Sequence, residues 1–469
     1  MKWLGVVLSQ MALFILTRSL RRTATSAPSV CVIGGGAAGF FSAIECARML
    51  KENEVSGASV TIFEASNECL SKVLISGGGR CNVMHDASKD MATIPRAYPR
   101  GEKQLRSPFF SKFGPIEAAQ WFKTRGVELI TEADGRVFPI TDDSRTIADT
   151  LWDEARKYGV IVRKQCKVEQ IDVLDWGGLR VNDENFDRLI IATGSSRQGH
   201  GLVRKLGHKV IDPVPSLFSF VVKEKALREL AGASVQDAHV TLVLGKDFHK
   251  SNAGEVFRPQ FLKGLNSQGP VLFTHQSLSG PAIIRLSGYS ARVLAATKYA
   301  ATLQVNWIQA ERNDVYNLLL TTKAGNHRKK RIGNLSMVSS DVLSKRVWHF
   351  LVERAGIALE KLWGDLSKSE ANRLADELCC GKFSVVGRGL FRDEFVTAGG
   401  VSLDEVNFSS YRSRLTENRC IYFAGECMDV DAITGGFNFQ HAWTSGWIAG
   451  HSVALDIAHE CELNPPLTQ

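Results

Sequence analysis

Residues 29–39 read Ser29-Val30-Cys31-Val32-Ile33-Gly34-Gly35-Gly36-Ala37-Ala38-Gly39, and few local structures satisfy such a stretch. Val30 to Ile33 is a short, wholly apolar run, as a strand buried on both faces of a parallel sheet requires. Gly34, Gly36 and Gly39 then follow in G-x-G-x-x-G spacing. In that pattern the first glycine permits a sharp strand-to-helix turn. The second lets the backbone approach a pyrophosphate, and the third lets helix and strand pack closely. Ala37 to Leu50 has helical composition. The start of such a helix, with Ala37 and Ala38, turns unpaired N–H groups and the positive end of its dipole toward an anion.

Working outward, Ser59 to Phe63 is rich in β-branched residues and is expected as a second strand, ending at Glu64 and Ala65. A carboxylate at that place accepts both ribose hydroxyls of an adenosine and disfavours a 2′-phosphate, so FAD or NAD fits better than NADP. The strand–helix–strand context makes a common motif specific. It predicts an α/β, Rossmann-like dinucleotide-binding domain.

Three further stretches suit the same ligand. Ser76-Gly77-Gly78-Gly79-Arg80-Cys81-Asn82 can press glycine backbone against a flat or charged group, with Arg80 offsetting its charge. Cys81 is a candidate redox thiol there, or a small packed residue. Ala192-Thr193-Gly194 ends the apolar run Leu189 to Ala192, and its small residues let the chain turn close to a cofactor. Tyr422-Phe423-Ala424-Gly425-Glu426 delivers a carboxylate for ribityl hydroxyls. Thr434-Gly435-Gly436-Phe437-Asn438-Phe439-Gln440 then opens a long helix, Phe439 to Ile457, whose start would favour negative charge on a reduced flavin.

Taken together, these stretches resemble the HI0933-like (YhiN/BaiN-type) family of FAD-dependent oxidoreductases. VIGGGAAG at 32–39, ISGGGRCNV at 75–83, GRVFPIT at 135–141, FTHQSLSGPAI at 273–283, TAGGV at 397–401 and FAGECMDVDAITGGFNFQHAWTSGWIAG at 423–450 carry the resemblance. It implies a Rossmann-like FAD domain of the two-dinucleotide-binding-domain type, built from both chain ends. It also implies an inserted β-barrel-like domain and a small helical domain. Gly34, Gly36, Ala38 and Gly39 would hold the pyrophosphate and Glu64 the adenosine ribose. Lys72, Gly78, Gly79, Arg80 and Asn82 would lie along the flavin. Val168, on a strand expected from Lys167 to Val173, would meet adenine through its backbone. Glu426, Gly436, Phe437, Asn438 and Gln440 would border ribityl and ring. Where relatives carry a longer T-G-D-G type stretch, this chain reads Ser195-Ser196-Arg197-Gln198-Gly199-His200-Gly201, so no role is carried over to it.

The expected division is a leader at 1–28, the FAD domain at 29–200 and 391–460, an inserted substrate or cap region at 201–390, β-rich and then helical, and a tail at 461–469. The leader holds Lys2, Arg18, Arg21 and Arg22 and no acid. Its apolar run is short for a membrane span. An Arg- and Ser-rich, acid-free leader reads as a transit peptide for a mitochondrion or plastid, with a secretory signal or signal anchor as the alternative. Without it the net charge falls from +8 to +4, which does not favour nucleic acid. The single basic run, His327-Arg328-Lys329-Lys330-Arg331, reads as a solvated loop. Ten scattered cysteines form no C-x-x-C pair, so neither a metal site nor a dithiol motif is expected, and free thiols suit a reducing compartment.

The chemistry implied is hydride transfer through flavin N5 between a nicotinamide or organic donor and a small-molecule substrate. A flavin oxidase or dehydrogenase using oxygen or quinone is the alternative, and a flavin-containing RNA-modifying or RNA-binding protein is the reading from another class. With one complete G-x-G-x-x-G and its acid, NAD(P)H would bind only transiently. Arg80, His275 and His441 are the candidates for proton delivery or charge stabilisation.

Overall fold

The computed structural model describes residues 27–86, 91–244, 265–389, 396–415, 417 and 419–463. The expected leader falls almost wholly outside them. The chain forms two compact units, Met1–Pro213 with Gly399–Gln469, and Val214–Ala398. No described helix is long and apolar enough to cross a membrane.

The first unit is built on five parallel strands, β1 (Ser29–Ile33), β2 (Ser59–Phe63), β3 (Ile161–Arg163), β4 (Arg188–Ile191) and β5 (Ile421–Phe423). They lie in the order β5-β4-β1-β2-β3, and Val406–Asn407 and Arg412–Ser413 extend the β5 edge. Val32 sits between Ile190 and Ile62, and Leu189 faces Ile421. Both ends of the chain therefore contribute to one sheet. The central strands are apolar on both faces because both faces are covered: Val30, Cys31, Val32, Leu189 and Ile190 are wholly buried. Residues 166–170 are irregular, so Val168 precedes the strand Ile171–Val173 rather than lying on it. Asn182 ties this stretch down through its side chain, accepting from Glu169 N (2.9 Å) and donating to the Lys167 carbonyl (3.0 Å).

Two helices pack together beside the sheet, α1 (Ala37–Glu52) and α2 (Phe437–Leu463). Their backbones nearly touch. A Cβ on Gly450 would stand 2.2 Å from the Ser42 carbonyl oxygen, and one on Gly446 would stand 2.8 Å from that of Ala38. Aromatic rings seal the margin of the contact: Phe41 lies 5.2 Å from Trp443 and 4.5 Å from Trp121, centroid to centroid. The Trp443 indole donates to the Val83 carbonyl at 2.9 Å.

The second unit contains a closed antiparallel barrel, Phe220–Val222, Ser277–Ser279, Asn266–Phe273, Ser234–Val243, Ala301–Asn306 and Gly381–Arg388 in spatial order. Alternate residues fill its interior, among them Val240, Leu242, Leu303, Val305, Phe383 and Val385, the period-two pattern that a sheet with one dry face requires. Four helices accompany it: Pro281–Ala296, Arg312–Ala324, Lys345–Arg354 and Lys368–Cys380. The first two were not expected from the sequence, although Pro281 at the opening position of the first is a start signal. The last opens on a capping box, in which the Ser367 hydroxyl accepts from Glu370 N and the Glu370 carboxylate accepts from Ser367 N.

Gly450→Ala should destabilise the protein by about 1–3 kcal/mol, since the new methyl overlaps backbone that cannot yield. Gly201→Ala, inside the helix Arg197–Lys205 with nothing within 4 Å of the new Cβ, should be neutral or stabilising by up to about 1 kcal/mol. Urea midpoints of the two variants measure the difference.

Candidate functional site

The turn after β1 is shaped by close backbone contacts. Gly34 has φ +111° and donates to the Phe63 carbonyl at 2.8 Å, and a Cβ there would strike the Ala192 carbonyl oxygen at 2.3 Å. A Cβ on Gly39 would lie 1.8 Å from the Gly34 carbonyl oxygen. Gly36 is different: nothing stands within 4 Å of where its Cβ would be. The space beside it is therefore open to a ligand. The first N–H groups of α1 have no intrahelical acceptor, and no side chain caps them or places an acid in the first turn. Ala37 and Ala38 begin the helix at this place.

Glu64 is held in position beside the turn. One carboxylate oxygen accepts from Gly35 N at 2.6 Å and the other from Ser66 N at 2.7 Å. A carboxylate offers about four acceptor sites, so capacity remains for a diol. Ala65 next to it is exposed. The Val168 carbonyl accepts from the Gln198 side chain at 2.7 Å. Ser196 caps the helix Arg197–Lys205 by accepting from Gly199 N, so the altered stretch after Gly194 is a helix start.

Distant segments meet around Glu426. Lys72 Nζ lies 2.6 Å from a Glu426 carboxylate oxygen and 3.3 Å from Ser195 Oγ. Gly194 (φ +57°) passes that same oxygen, 3.8 Å from its notional Cβ. A Cβ on Gly425 (φ +73°) would lie 2.7 Å from that of Ala38, and Gly425 N donates to Ser445 Oγ at 2.8 Å. The cradle, Lys72, Ala192–Gly194 and Glu426 thus form one neighbourhood. Thr193 Oγ is buried without a hydrogen-bond partner among the described residues.

The glycine run at 77–79 has φ between +59° and +89°, and Gly78 and Gly79 face open space. Arg80 next to it is already engaged. Its guanidinium bonds Asp142 (2.6 Å) and Glu132 (2.9 Å) and covers the Phe138 ring at 4.0 Å. Its charge is thus neutralised within the protein. Cys81 is buried, and burial pushes its thiol up to about 12, which leaves no thiolate for redox chemistry at neutral pH.

Asn82 ties this run to the start of α2. Its amide donates to the Met84 carbonyl (3.1 Å) and accepts from Gly436 N (3.0 Å). Asn438 clasps Ala432 through both its N–H and C=O. Sequence reasoning missed three supports. His85 stacks on Phe437 at 4.4 Å and bonds the Gly435 carbonyl through Nδ1. Tyr98 donates to the Phe437 carbonyl at 2.6 Å. Arg100 and the wholly buried Asp431 form a two-pronged ion pair. The second acid of the 429–431 Asp-x-Asp was the available signal for the last.

Two catalytic candidates are placed apart from this chemistry. His441 is buried, and desolvation pushes it down to about 3, so it is neutral at physiological pH and holds no proton to deliver as imidazolium. Gln440 beside it is also buried and donates to Thr444 Oγ1 at 3.1 Å. His275 is exposed on the turn between two barrel strands of the second unit. The remaining residues fit a dinucleotide: an open anion cradle, a fixed acid at the ribose position and a glycine run facing space.

Comparison with known proteins follows the same lines. The model of the HI0933-like protein Rossmann domain matches residues 28–452. A ribosomal RNA dihydrouridine synthase of Haemophilus influenzae is 25% identical over 450 residues, covering 90% of this chain and 98% of that protein. A 3-dehydro-bile acid delta(4,6)-reductase of Clostridium scindens is 26% identical over 437 residues, covering 90% and 98%. A ribosomal RNA dihydrouridine synthase of Escherichia coli is 27% identical over 440 residues, covering 89% and 95%.

Gly36→Val should abolish flavin retention while the apoprotein melts within a degree or two of its parent, because the new Cβ has no protein atom within 4 Å; absorbance and melting curves of both forms check this. The neutral His441 also makes stability depend on pH. Below about 6.5 an unfolded histidine takes up a proton that the fold refuses at this site, so stability is full above that pH and is lost as pH falls toward 3. His441→Leu should make the loss shallower in denaturant midpoints taken across that window. His200 and His208, also pushed down by burial, keep part of the slope.

Proposed function

The chain belongs to the HI0933-like family and is an FAD-dependent oxidoreductase, and from that premise we propose that it reduces a carbon–carbon double bond conjugated to a carbonyl. The observation that carries the flavin reading is the open cradle at Gly36 beside the tethered Glu64 carboxylate. The bond class comes from what two unlike relatives have in common. Dihydrouridine is uridine saturated at a ring double bond conjugated to a carbonyl. A delta(4,6)-reductase of a 3-dehydro steroid acts on double bonds conjugated to the 3-oxo group. One flavin site serves both if the chemistry rests on the electron-poor bond rather than on the molecule that bears it.

Bound FAD supplies the hydride for such a bond. The protein's own residues do the positioning. The α1 amides and Gly36 hold the pyrophosphate, and Glu64 fixes the adenosine ribose. Glu426, neutralised by Lys72 at 2.6 Å, accepts from ribityl hydroxyls. Gly78, Gly79 and Asn82 border the ring, and the positive start of α2 at Phe437 favours the negative charge that the reduced ring carries. His441 takes no part in proton transfer, being neutral and sealed from solvent. A nicotinamide has no second glycine fingerprint to dock on, so it visits the ring and leaves.

Mixed anaerobically with NADH or NADPH, the holoenzyme should lose its visible flavin absorbance. A conjugated enone or a uridine-bearing RNA should then restore the colour faster than dioxygen does. Indifference to both nicotinamides, together with rapid reoxidation by a quinone, would establish the oxidase or dehydrogenase alternative instead.

A further inference from the structure

Charge is divided unequally between the two units. Residues 214–398 carry 25 Lys and Arg against 16 Asp and Glu, an excess of nine positive charges. Residues 29–213 and 399–469 carry 28 against 33, an excess of five negative charges. The modest total conceals a basic unit and an acidic one, and a basic unit attracts polyanions.

Within the basic unit one segment concentrates the charge. His327, Arg328, Lys329, Lys330 and Arg331 are all exposed. A run of this kind is usually a solvated loop, but this one has a fixed backbone. Gly364 N donates to the Arg328 carbonyl (2.8 Å), Trp363 N to the Lys330 carbonyl (3.0 Å), and Ile332 N to the Lys361 carbonyl (2.8 Å). Arg331 and Leu362 form an antiparallel bridge. Beneath the segment lie two wholly buried tryptophans. Trp348 donates its indole N–H to the Ile332 carbonyl (2.9 Å), and Trp363 donates its own to that of Leu335 (3.3 Å). The result is a rigid ridge. Arg331 pairs with Glu360, whereas Arg328, Lys329 and Lys330 have no carboxylate partner among the described residues. Cations carried on a fixed backbone and left unneutralised spare the chain the cost of ordering a loop when they meet phosphate, which is what a docking surface needs.

We propose that this ridge contacts the phosphate backbone of an RNA substrate. The inference rests on the reductase reading, with the conjugated bond carried by a uracil in RNA, as the names of two relatives describe for those proteins. The segment is a run of tight turns, with Arg328 N donating to the Gly325 carbonyl (3.2 Å) and Lys330 N to the His327 carbonyl (2.8 Å), so it presents its cations as a compact cluster that can straddle neighbouring phosphates of one strand. A lipid surface fits less well, because the ridge is not an amphipathic helix with an apolar face to insert.

The test is fluorescence anisotropy of the full-length holoenzyme with a fluorescein-labelled RNA hairpin bearing uridines in its loop, titrated at several KCl concentrations. Each phosphate contact adds roughly 0.7–0.9 to the slope of log affinity against log salt. Lys329→Glu with Lys330→Glu should weaken binding roughly tenfold or more and flatten the slope by about one to two. Lys329→Gln with Lys330→Gln should do so less. Lys103→Glu with Arg106→Glu, exposed on the first unit, should change affinity less than about twofold. Flavin absorbance and melting temperature report whether each variant is folded. The proposal fails if the ridge variants bind as the parent does. It fails equally if the parent ignores RNA but sediments with phosphatidylserine vesicles. Binding is read without turnover, so failure here leaves the photometric test of the reductase intact, and failure there leaves this one intact.

Discussion

How closely other backbone can approach helix α1 sets the rest of the first unit. Its first turn lies against the Gly34 carbonyl through Gly39, and Gly425 passes beside Ala38. In the same turn and the next, Gly446 and Gly450 of α2 press on the Ala38 and Ser42 carbonyl oxygens. Each contact forbids a side chain. Together they fix where the helix begins to within the tolerance of packed backbone, and the start of the helix is the anion cradle. Precision at the ligand is thus obtained from contacts made by chain ends some four hundred residues apart in sequence. The same glycines bring the β5–α2 segment to the cradle, which is why Glu426 can meet Lys72.

Electrostatics around the site follow from that geometry. Most charges near it are already matched: Lys72 with Glu426, Arg80 with Asp142 and Glu132, Arg100 with Asp431. The buried Arg100–Asp431 pair carries a desolvation cost that its two-pronged geometry must offset. It secures the strand-like approach to the Gly435–Gly436 turn rather than any chemistry. The helix starts are left without matched charge, because amides with no acceptor are fixed in place and cost no reorganisation when an anion arrives. A site of this kind favours negative charge through backbone and not through mobile side chains.

Much of this was legible in the sequence. The β1 turn, the Glu64 position and the return of the sheet near Ile421 each have a local cause, since only glycine fits the contacts and only apolar residues fit a strand covered on both faces. Val168 misled because the β-branched residues Val168, Ile171 and Val173 set among polar ones resemble a strand, whereas Asn182 bonds to Lys167 and Glu169 and holds the segment irregular. Arg80 could be placed beside the glycine run but not its partners, because Glu132 and Asp142 lie 52 and 62 residues away. Burial of His441 was equally hidden. A histidine beside a cofactor motif looks catalytic in sequence, and only the packing of Tyr98 and Tyr411 around it shows a neutral ring.

The division of charge sharpens the contrast between the units. Every residue proposed to hold the flavin lies in the acidic unit. Relatives named for a steroid and for ribosomal RNA match this chain over nine-tenths of its length, so one scaffold accommodates very different molecules. Two such substrates cannot be told apart by the bond that is reduced, since both present an electron-poor double bond. They differ in size and charge, and those are properties a surface outside the cofactor site can read. A net excess of nine positive charges in the second unit is a property of that kind, and on the proposed reading it would favour a polyanionic substrate over a small apolar one. A steroid-directed relative has no need of a rigid, unpaired cationic ridge on that unit, because a small apolar molecule carries no row of phosphates for it to follow.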